Sequence, residues 1–218
     1  MAPQVKRELI VAADFISEAV AQIVAARPRT LVLAGGETPA QVYQRLATCD
    51  LPWPEIEVFF GDERCVPPYH PDSNFRMAKE SLLGEVPARV HRMVGEACDA
   101  AGYEREIESV LGAALPAFDL VILGLGTDGH TASLFLGDSA LDIRDRWVAR
   151  VERPDHPRLT LTLPVLSAAK LALFLVTGLD KRTALRRLVR GDDMPAGRVL
   201  AKKTLIIADE AAASELDL

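Results

Sequence analysis

The sequence predicts an α/β protein with a doubly wound, mostly parallel sheet and helices on both faces. Three observations carry that prediction. Continuous apolar runs, TLVLA at 30–34, LVIL at 120–123 and LALFLV at 171–176, have the pattern of strands buried on both faces. Stretches with apolar residues at helical spacing separate them. The runs end in glycine turns, and no internal repeat or low-complexity linker breaks the alternation.

Taken in order, residues 7–12 hold a short apolar run, the first strand. Asp14 caps a helix through Ala26, with Phe15, Ala19, Ile23 and Ala26 on one stripe, and Pro28 ends it. The strand at 30–34 runs into Gly35, Gly36, Glu37, Thr38 and Pro39. Thr38 is the expected cap of the next helix, and Pro39 suits its first turn because its missing amide hydrogen is not needed there. EIEVFF at 55–60 is a third strand and ends in Gly61-Asp62-Glu63-Arg64. After the Pro67-Pro68 loop, His70, Asp72, Ser73 and Asn74 lead into a helix over 75–83, capped by Ser73 or Asp72. A short strand is expected at 90–93. A helix follows at 102–115, with Tyr103, Ile107, Val110 and Leu111 on a core stripe. Beyond the strand at 120–123 and its glycine turn, Thr131 to Phe135 read as a short helix. The next strands lie at 147–151 and 158–163, and the alternation in RLTLTL sets Arg158, Thr160 and Thr162 on one face. Pro164 starts a short helix. The strand at 171–176 leads through Gly178 into a basic helix carrying Lys181, Arg182, Arg186, Arg187 and Arg190. Residues 204–208 form the last strand, and Asp209 caps a terminal helix.

The 218 residues, 49% of them hydrophobic, suffice for a substantial core and are read as one domain over 1–218. No run has the length of a membrane span, and the amino terminus lacks a basic-then-apolar signal. A net charge of −6 argues against nucleic-acid binding by phosphate neutralisation. Cys49, Cys65 and Cys98 are odd in number and widely spaced. They suit a reducing compartment, with neither a disulfide framework nor a zinc pattern. These features describe a soluble cytoplasmic enzyme with no nucleic-acid or membrane partner. Its oligomeric state stays open between monomer and weak dimer.

The chemistry concentrates in turns. In a parallel sheet the turn from Gly124 to Gly129 falls at the carboxyl end of a strand, where ligands bind, and Asp128 and His130 are its reactive side chains. GGETP places two glycines ahead of a helix amino terminus, free to converge on an anion, and no Gly-Lys-Ser/Thr makes it a Walker loop. Asp62, Glu63 and Arg64 are costly to bury without partners. Lys181 near a helix start is disfavoured by the dipole unless an anion is bound nearby. Gly124 to Gly129 also spells a dinucleotide fingerprint, with Glu152 near the spacing of a ribose-binding acid. Asp128 opposes that reading, since it brings a carboxylate to the pyrophosphate position.

GGETP, GDERCVP with HPDSNF, GLGTDGHTASLF, and RLTLTLP with TGLDK stand here in one order. Together they resemble the 6-phosphogluconolactonase family, from about Leu31 to Ala208; its wider relatives are glucosamine-6-phosphate deaminases. The resemblance implies a Rossmann-like α/β fold, no cofactor and no metal. It also implies hydrolysis of a small-molecule sugar-phosphate lactone, 6-phospho-D-glucono-1,5-lactone, to 6-phosphogluconate. It places the proton-transfer histidine at His130 and the active-site arginine at Arg64, with Asp62 and Asp128 as accompanying carboxylates. Phosphate and substrate contacts fall on Gly35, Gly36, Thr38, Asn74, Arg158 and Lys181. Two positions depart from the pattern. Glu37 stands where serine is common, so its charge must point away from the phosphate, and Leu136 stands where proline is usual. The deaminase pattern carries a glutamate at position 135 and a tyrosine at position 64, whereas this chain has Phe135 and Arg64.

Lactone hydrolysis needs a positioned water, a base and stabilisation of the carbonyl oxygen as it gains charge. His130 suits the first proton transfer, Arg64 either the oxyanion or the phosphate, and Asp128 either the orientation of His130 or the sugar hydroxyls. Two other readings use the same residues. One is a metal hydrolase built on Asp62, Glu63, Asp72, Asp128 and His130. The other is a sugar-phosphate sensor that binds without turnover.

Overall fold

A computed structural model of the chain describes residues 7–216. Seven strands form one sheet: β1 (Arg7–Val11), β2 (Thr30–Leu33), β3 (Glu57–Phe60), β5 (Arg89–Val90), β6 (Leu120–Gly124), β9 (Leu171–Val176) and β10 (Lys203–Ala208). Their order is β1-β10-β9-β6-β2-β3-β5, and every neighbouring pair is parallel. Leu31, Val32 and Leu33 of β2 and Leu120 to Leu123 of β6 are all buried. Successive strand residues point to opposite faces, so both faces are covered, as the continuous apolar runs require. The covering helices include α1 (Phe15–Ala26), α2 (Glu37–Leu46), α3 (Asn74–Ala78), α4 (Ala100–Leu111), α5 (Leu163–Ala168) and α6 (Arg182–Arg190). Asp14 caps α1 by accepting the Ser17 amide at 3.1 Å.

The strand order dictates where a crevice opens. From β2 the chain winds outward to β3 and β5; from β6 it winds the other way to β9 and β10. β2 and β6 are adjacent, so the loops leaving their carboxyl ends diverge there, the position at which doubly wound sheets bind ligands. Two buried tyrosines pin the strand ends beside it. Tyr43 Oη accepts the Ala34 amide at 2.9 Å and donates to the Ala34 carbonyl at 3.0 Å. Tyr103 Oη accepts the Phe60 amide at 2.9 Å and donates to the His91 carbonyl at 3.0 Å. Burial drives both phenol pKa values upward, so each hydroxyl keeps the proton it donates.

Several local expectations need correction. A second, antiparallel sheet of order β4-β8-β7 joins β4 (Asp62–Arg64), β8 (Arg158–Leu161) and β7 (Val148–Val151). The sequence reading took Asp62 to Arg64 as a strand's end, because a three-residue strand carries almost no periodicity. Thr131 to Phe135 is not a helix. Ala132 adopts φ of 48°, and Thr131 bridges Leu134 in a tight turn. The helix expected over 75–83 is α3 followed by a π turn at Lys79–Leu83. The segment after β10 forms turns, and Asp209 there accepts the Gly178 and Ala212 amides. Cys65 and Cys98 form a disulfide with Cα atoms 5.1 Å apart, contrary to the free thiols expected. Their apposition depends on Gly95, where a Cβ would meet the Arg64 and Val66 carbonyls, and spacing alone does not reveal that. No helix of the described residues is long and apolar enough to cross a membrane.

Candidate active site

Three loops and the small sheet build the site. After β6 the chain reverses through Gly126, whose amide donates to the His130 carbonyl at 2.8 Å, and the Gly129 amide donates to Gly126 at 2.9 Å. Gly129 sits at φ of 90°, and a Cβ on Gly126 would collide with the His130 ring and Asp128, so both positions need glycine. Asp128 Oδ1 accepts the His130 amide at 3.0 Å and lies 2.6 Å from His130 Nδ1. Burial works to raise the Asp128 pKa, but the bonds from His130 overcome it and hold the carboxyl below the usual range. An ionised Asp128 can only accept, so the proton resides on Nδ1 and Nε2 carries the lone pair. The other side of the imidazole meets Phe135 at 4.5 Å between ring centroids, and the Arg153 guanidinium lies 3.9 Å from the same phenyl centroid.

After β2, Gly35 lies against the Asn74 side chain so closely that no Cβ would fit. Gly36, at φ of 109°, is the N-cap of α2. Thr38 is therefore the second helical residue and not the cap, and its Oγ1 pairs with Thr177 Oγ1 at 2.6 Å beyond β9. The first-turn amides of α2 have no intrahelical acceptor, the arrangement that favours negative charge at a helix start. Glu37 is exposed, which leaves its charge room to turn outward. Lys181, the third residue of the turn Leu179–Lys181 that follows Gly178, has Nζ 3.4 Å from Asp180.

The small sheet supplies the opposite wall. Pairing sets Asp62 against Thr160 and Arg64 against Arg158. Strand alternation therefore puts these four on one face and Glu63 on the other. Asp62 accepts from Ser133 Oγ at 2.7 Å and from Asn74 Nδ2 at 3.2 Å. Arg64 donates to the Asp72 carbonyl at 2.6 Å, and Arg158 to Asp155 at 2.6 Å. Asp155 is held down to about 2 by the His156 backbone N–H and then by Arg158. Yet Nε of both arginines is buried without a partner. Two like charges directly across a strand pair destabilise it, so this pair concentrates positive charge on one wall of the cleft. Glu63 instead accepts from the Arg64, Asn74 and Phe75 amides and Ser73 Oγ. It ties β4 to the start of α3, while burial raises its pKa.

The resulting cleft of about 250 Å³ is lined by Gly35, Gly36, Asp62, Arg64, Asn74, His130, Arg158 and Lys181. Of the residues singled out from sequence, Asp128 stands outside it, bonded to His130. Thr38 lines an adjoining depression that shares Gly35, Gly36 and Lys181. Sequence reasoning missed Ser133 and Tyr43, and it placed Tyr103 in the core, where it lies, without the hydrogen bonds that make it a pin. Thr160, whose Oγ1 accepts the Ser133 amide at 3.2 Å, was placed on the correct face but given no role. The five-residue metal set does not gather, since Glu63 is turned away and spent on α3. The dinucleotide reading lacks its helix after the turn, and Glu152 is exposed beside Arg150.

Fold and site thus define an α/β protein whose topological switch point opens into a cationic cleft of about 250 Å³ holding one oriented histidine. The chain belongs to the glucosamine-6-phosphate isomerases/6-phosphogluconolactonase family, whose model matches residues 6–207. It is 42% identical over 205 residues to the 6-phosphogluconolactonase of Synechocystis, covering 85% of this chain and 84% of that one. The crystal structure of 6-phosphogluconolactonase from Thermotoga maritima superposes with a TM-score of 0.85 at 32% identity, over 94% of this chain and all of that one. The enzyme from Trypanosoma cruzi superposes at 0.86 with 27% identity, over 100% and 99% of the two chains.

Proposed function

We propose that this protein hydrolyses 6-phospho-D-glucono-1,5-lactone to 6-phosphogluconate, with His130 as the proton shuttle. The observation that carries the mechanism is the Asp128–His130 pair, 2.6 Å apart, which leaves Nε2 as the only free basic atom of the imidazole at the cleft. Nε2 takes a proton from a water as its oxygen bonds to C1. The carbonyl electron pair moves onto oxygen, where Arg64 stabilises it. The intermediate then collapses, the C1–ring-oxygen bond breaks, and Nε2 returns its proton to the departing ring oxygen. The new carboxylic acid loses its remaining proton to solvent. Asp128 acts through His130, holding the tautomer and stabilising the transient imidazolium, and Asp62, fixed by Ser133 and Asn74, faces the sugar hydroxyls. The α2 amides with Lys181 and Arg158 hold the phosphate.

The family also includes aminosugar-phosphate isomerases, whose reaction moves a proton between carbons and needs further acid–base groups. At position 135 this chain has a phenyl ring packed on His130, which cannot transfer a proton, so the lactonase reading is the better supported. Purified protein is assayed with the lactone, correcting for spontaneous hydrolysis, and with glucosamine 6-phosphate. Lactone turnover without ammonia release is expected. Ammonia release above a no-enzyme control, or binding of the lactone without turnover, overturns the assignment.

A further inference from the structure

Outside the cleft, one group among the described residues brings metal-ligating atoms together: His70, Asp72 and His156 each offer one, all within 4.8 Å of one another. We infer that these three side chains form a site for a first-row divalent cation of the zinc type. Asp72 Oδ2 lies 3.1 Å from His156 Nε2 and 3.7 Å from His70 Nδ1. Bonds of ~2.0–2.2 Å around a tetrahedral ion set its ligand atoms roughly 3.3 Å apart, a value these two separations bracket. The imidazoles stand edge to face, 80° apart with centroids at 5.3 Å, so both can aim at one point without stacking. His70 Nδ1 accepts the Asp72 amide at 3.2 Å, so that nitrogen is unprotonated, and ligation exchanges this hydrogen bond for the metal bond. The ion would replace the 3.1 Å contact between His156 Nε2 and Asp72 Oδ2.

Two nitrogens among three ligands select against Mg²⁺ and Ca²⁺, which prefer oxygen, and favour Zn²⁺ or Co²⁺. Asp72 is exposed and both histidines are only partly covered, leaving the remaining coordination positions to water. Arg64 bonds the Asp72 carbonyl and not its carboxylate, whose ion-pair partners among the described residues are the two histidines. The placement gives the site a task. His70 and Asp72 lie between β4 and α3, and His156 lies between β7 and β8, so a bound ion joins the loop leaving Arg64 to the loop entering Arg158. It is a clamp on the wall of the cleft, separate from the groups assigned to proton transfer.

Metal-stripped protein is titrated with Zn²⁺ by calorimetry and with Co²⁺ by visible absorption. One Zn²⁺ per chain and a Co²⁺ ligand-field spectrum are expected, together with a Zn²⁺-dependent rise in Tm. His70→Gln and His156→Gln should each weaken binding at least about 10-fold, the lower end of what even outer-shell partners cost. Asp72→Asn provides a third variant at the same site, and His130→Asn should bind as the wild type does. Absence of saturable binding, or binding lost in His130→Asn and kept in His156→Gln, overturns the inference.

Discussion

Replacing Asp128 by Asn removes one charge and changes almost no volume, so it isolates what the carboxylate does for His130. In the wild type the carboxylate accepts at 2.6 Å from Nδ1 and at 3.0 Å from the His130 amide. An amide at this position can still accept from the backbone, but it no longer stabilises the imidazolium formed when Nε2 takes the water proton. A charge-assisted hydrogen bond is worth ~1.5–3 kcal/mol, which at ~1.36 kcal/mol per decade corresponds to a kcat loss of roughly 10- to 150-fold. If the amide nitrogen turns toward Nδ1, the proton shifts to Nε2 and the base is lost, so the fall extends into the ~10²–10⁴-fold range of general acid–base catalysis. KM should change little, since Asp128 is outside the cleft. The assay is initial-rate hydrolysis of the phosphorylated lactone with the spontaneous rate subtracted, on variants with native circular dichroism. Because Asp128 is argued to act only through His130, the double variant with His130→Asn should be no slower than His130→Asn alone. Additive losses, or a rise in KM with kcat retained, would refute this and assign Asp128 to the sugar.

Other perturbations test other parts of the site. Arg158→Ala and Lys181→Ala should each raise KM, consistent with ~1.5–3 kcal/mol per charged hydrogen bond, and unphosphorylated gluconolactone should be a poor wild-type substrate. Equal kcat/KM for the two lactones would remove the phosphate assignment. Gly126→Ala must displace the His130 ring, so kcat should fall in a protein whose far-ultraviolet spectrum is unchanged; wild-type kcat would show that the ring position is not critical. The Cys65–Cys98 bridge should contribute about 2–4 kcal/mol under oxidising conditions. Chemical denaturation should therefore shift on reduction in the wild type but not in Cys98→Ser, and identical midpoints for oxidised and reduced wild type would contradict a formed bridge.

What could be read from the sequence followed the range of the interactions involved. β6 and β9 are visible as LVILG and LALFLV because burial on both faces demands an unbroken apolar run, a property each segment displays alone. Asp14 as a cap is equally local. β4 is invisible, because three residues show no period and their role depends on pairing with β8 far along the chain. Glu63 shows the consequence. Its residue type suggests site chemistry, but once β4 is known to be a strand, alternation turns it away from Asp62 and Arg64 toward the α3 amides. Thr131 to Phe135 misled for a related reason. Its apolar spacing suits a helix, while Thr131 Oγ1 bonding Gly124 and the Ser133 amide bonding Thr160 hold a turn that no local propensity favours. The candidate site was legible as a set of residue types, but the partners that orient them were not.

The pairing of Arg64 with Arg158 bears on how the protein acquires activity. These residues are 94 positions apart (158 − 64), and closing a loop of that length costs on the order of 4 kcal/mol in chain entropy. The strand pair that closes it is short and sets two guanidinium groups side by side, so little local energy offsets that cost until the large sheet is in place. A chain whose main sheet has already assembled can therefore still lack the wall of its cleft. On refolding, lactone turnover should return after amide protection in β6, β9 and β10, and on gentle destabilisation it should be lost first. A phosphorylated ligand that sits between the arginines would bring those two transitions together.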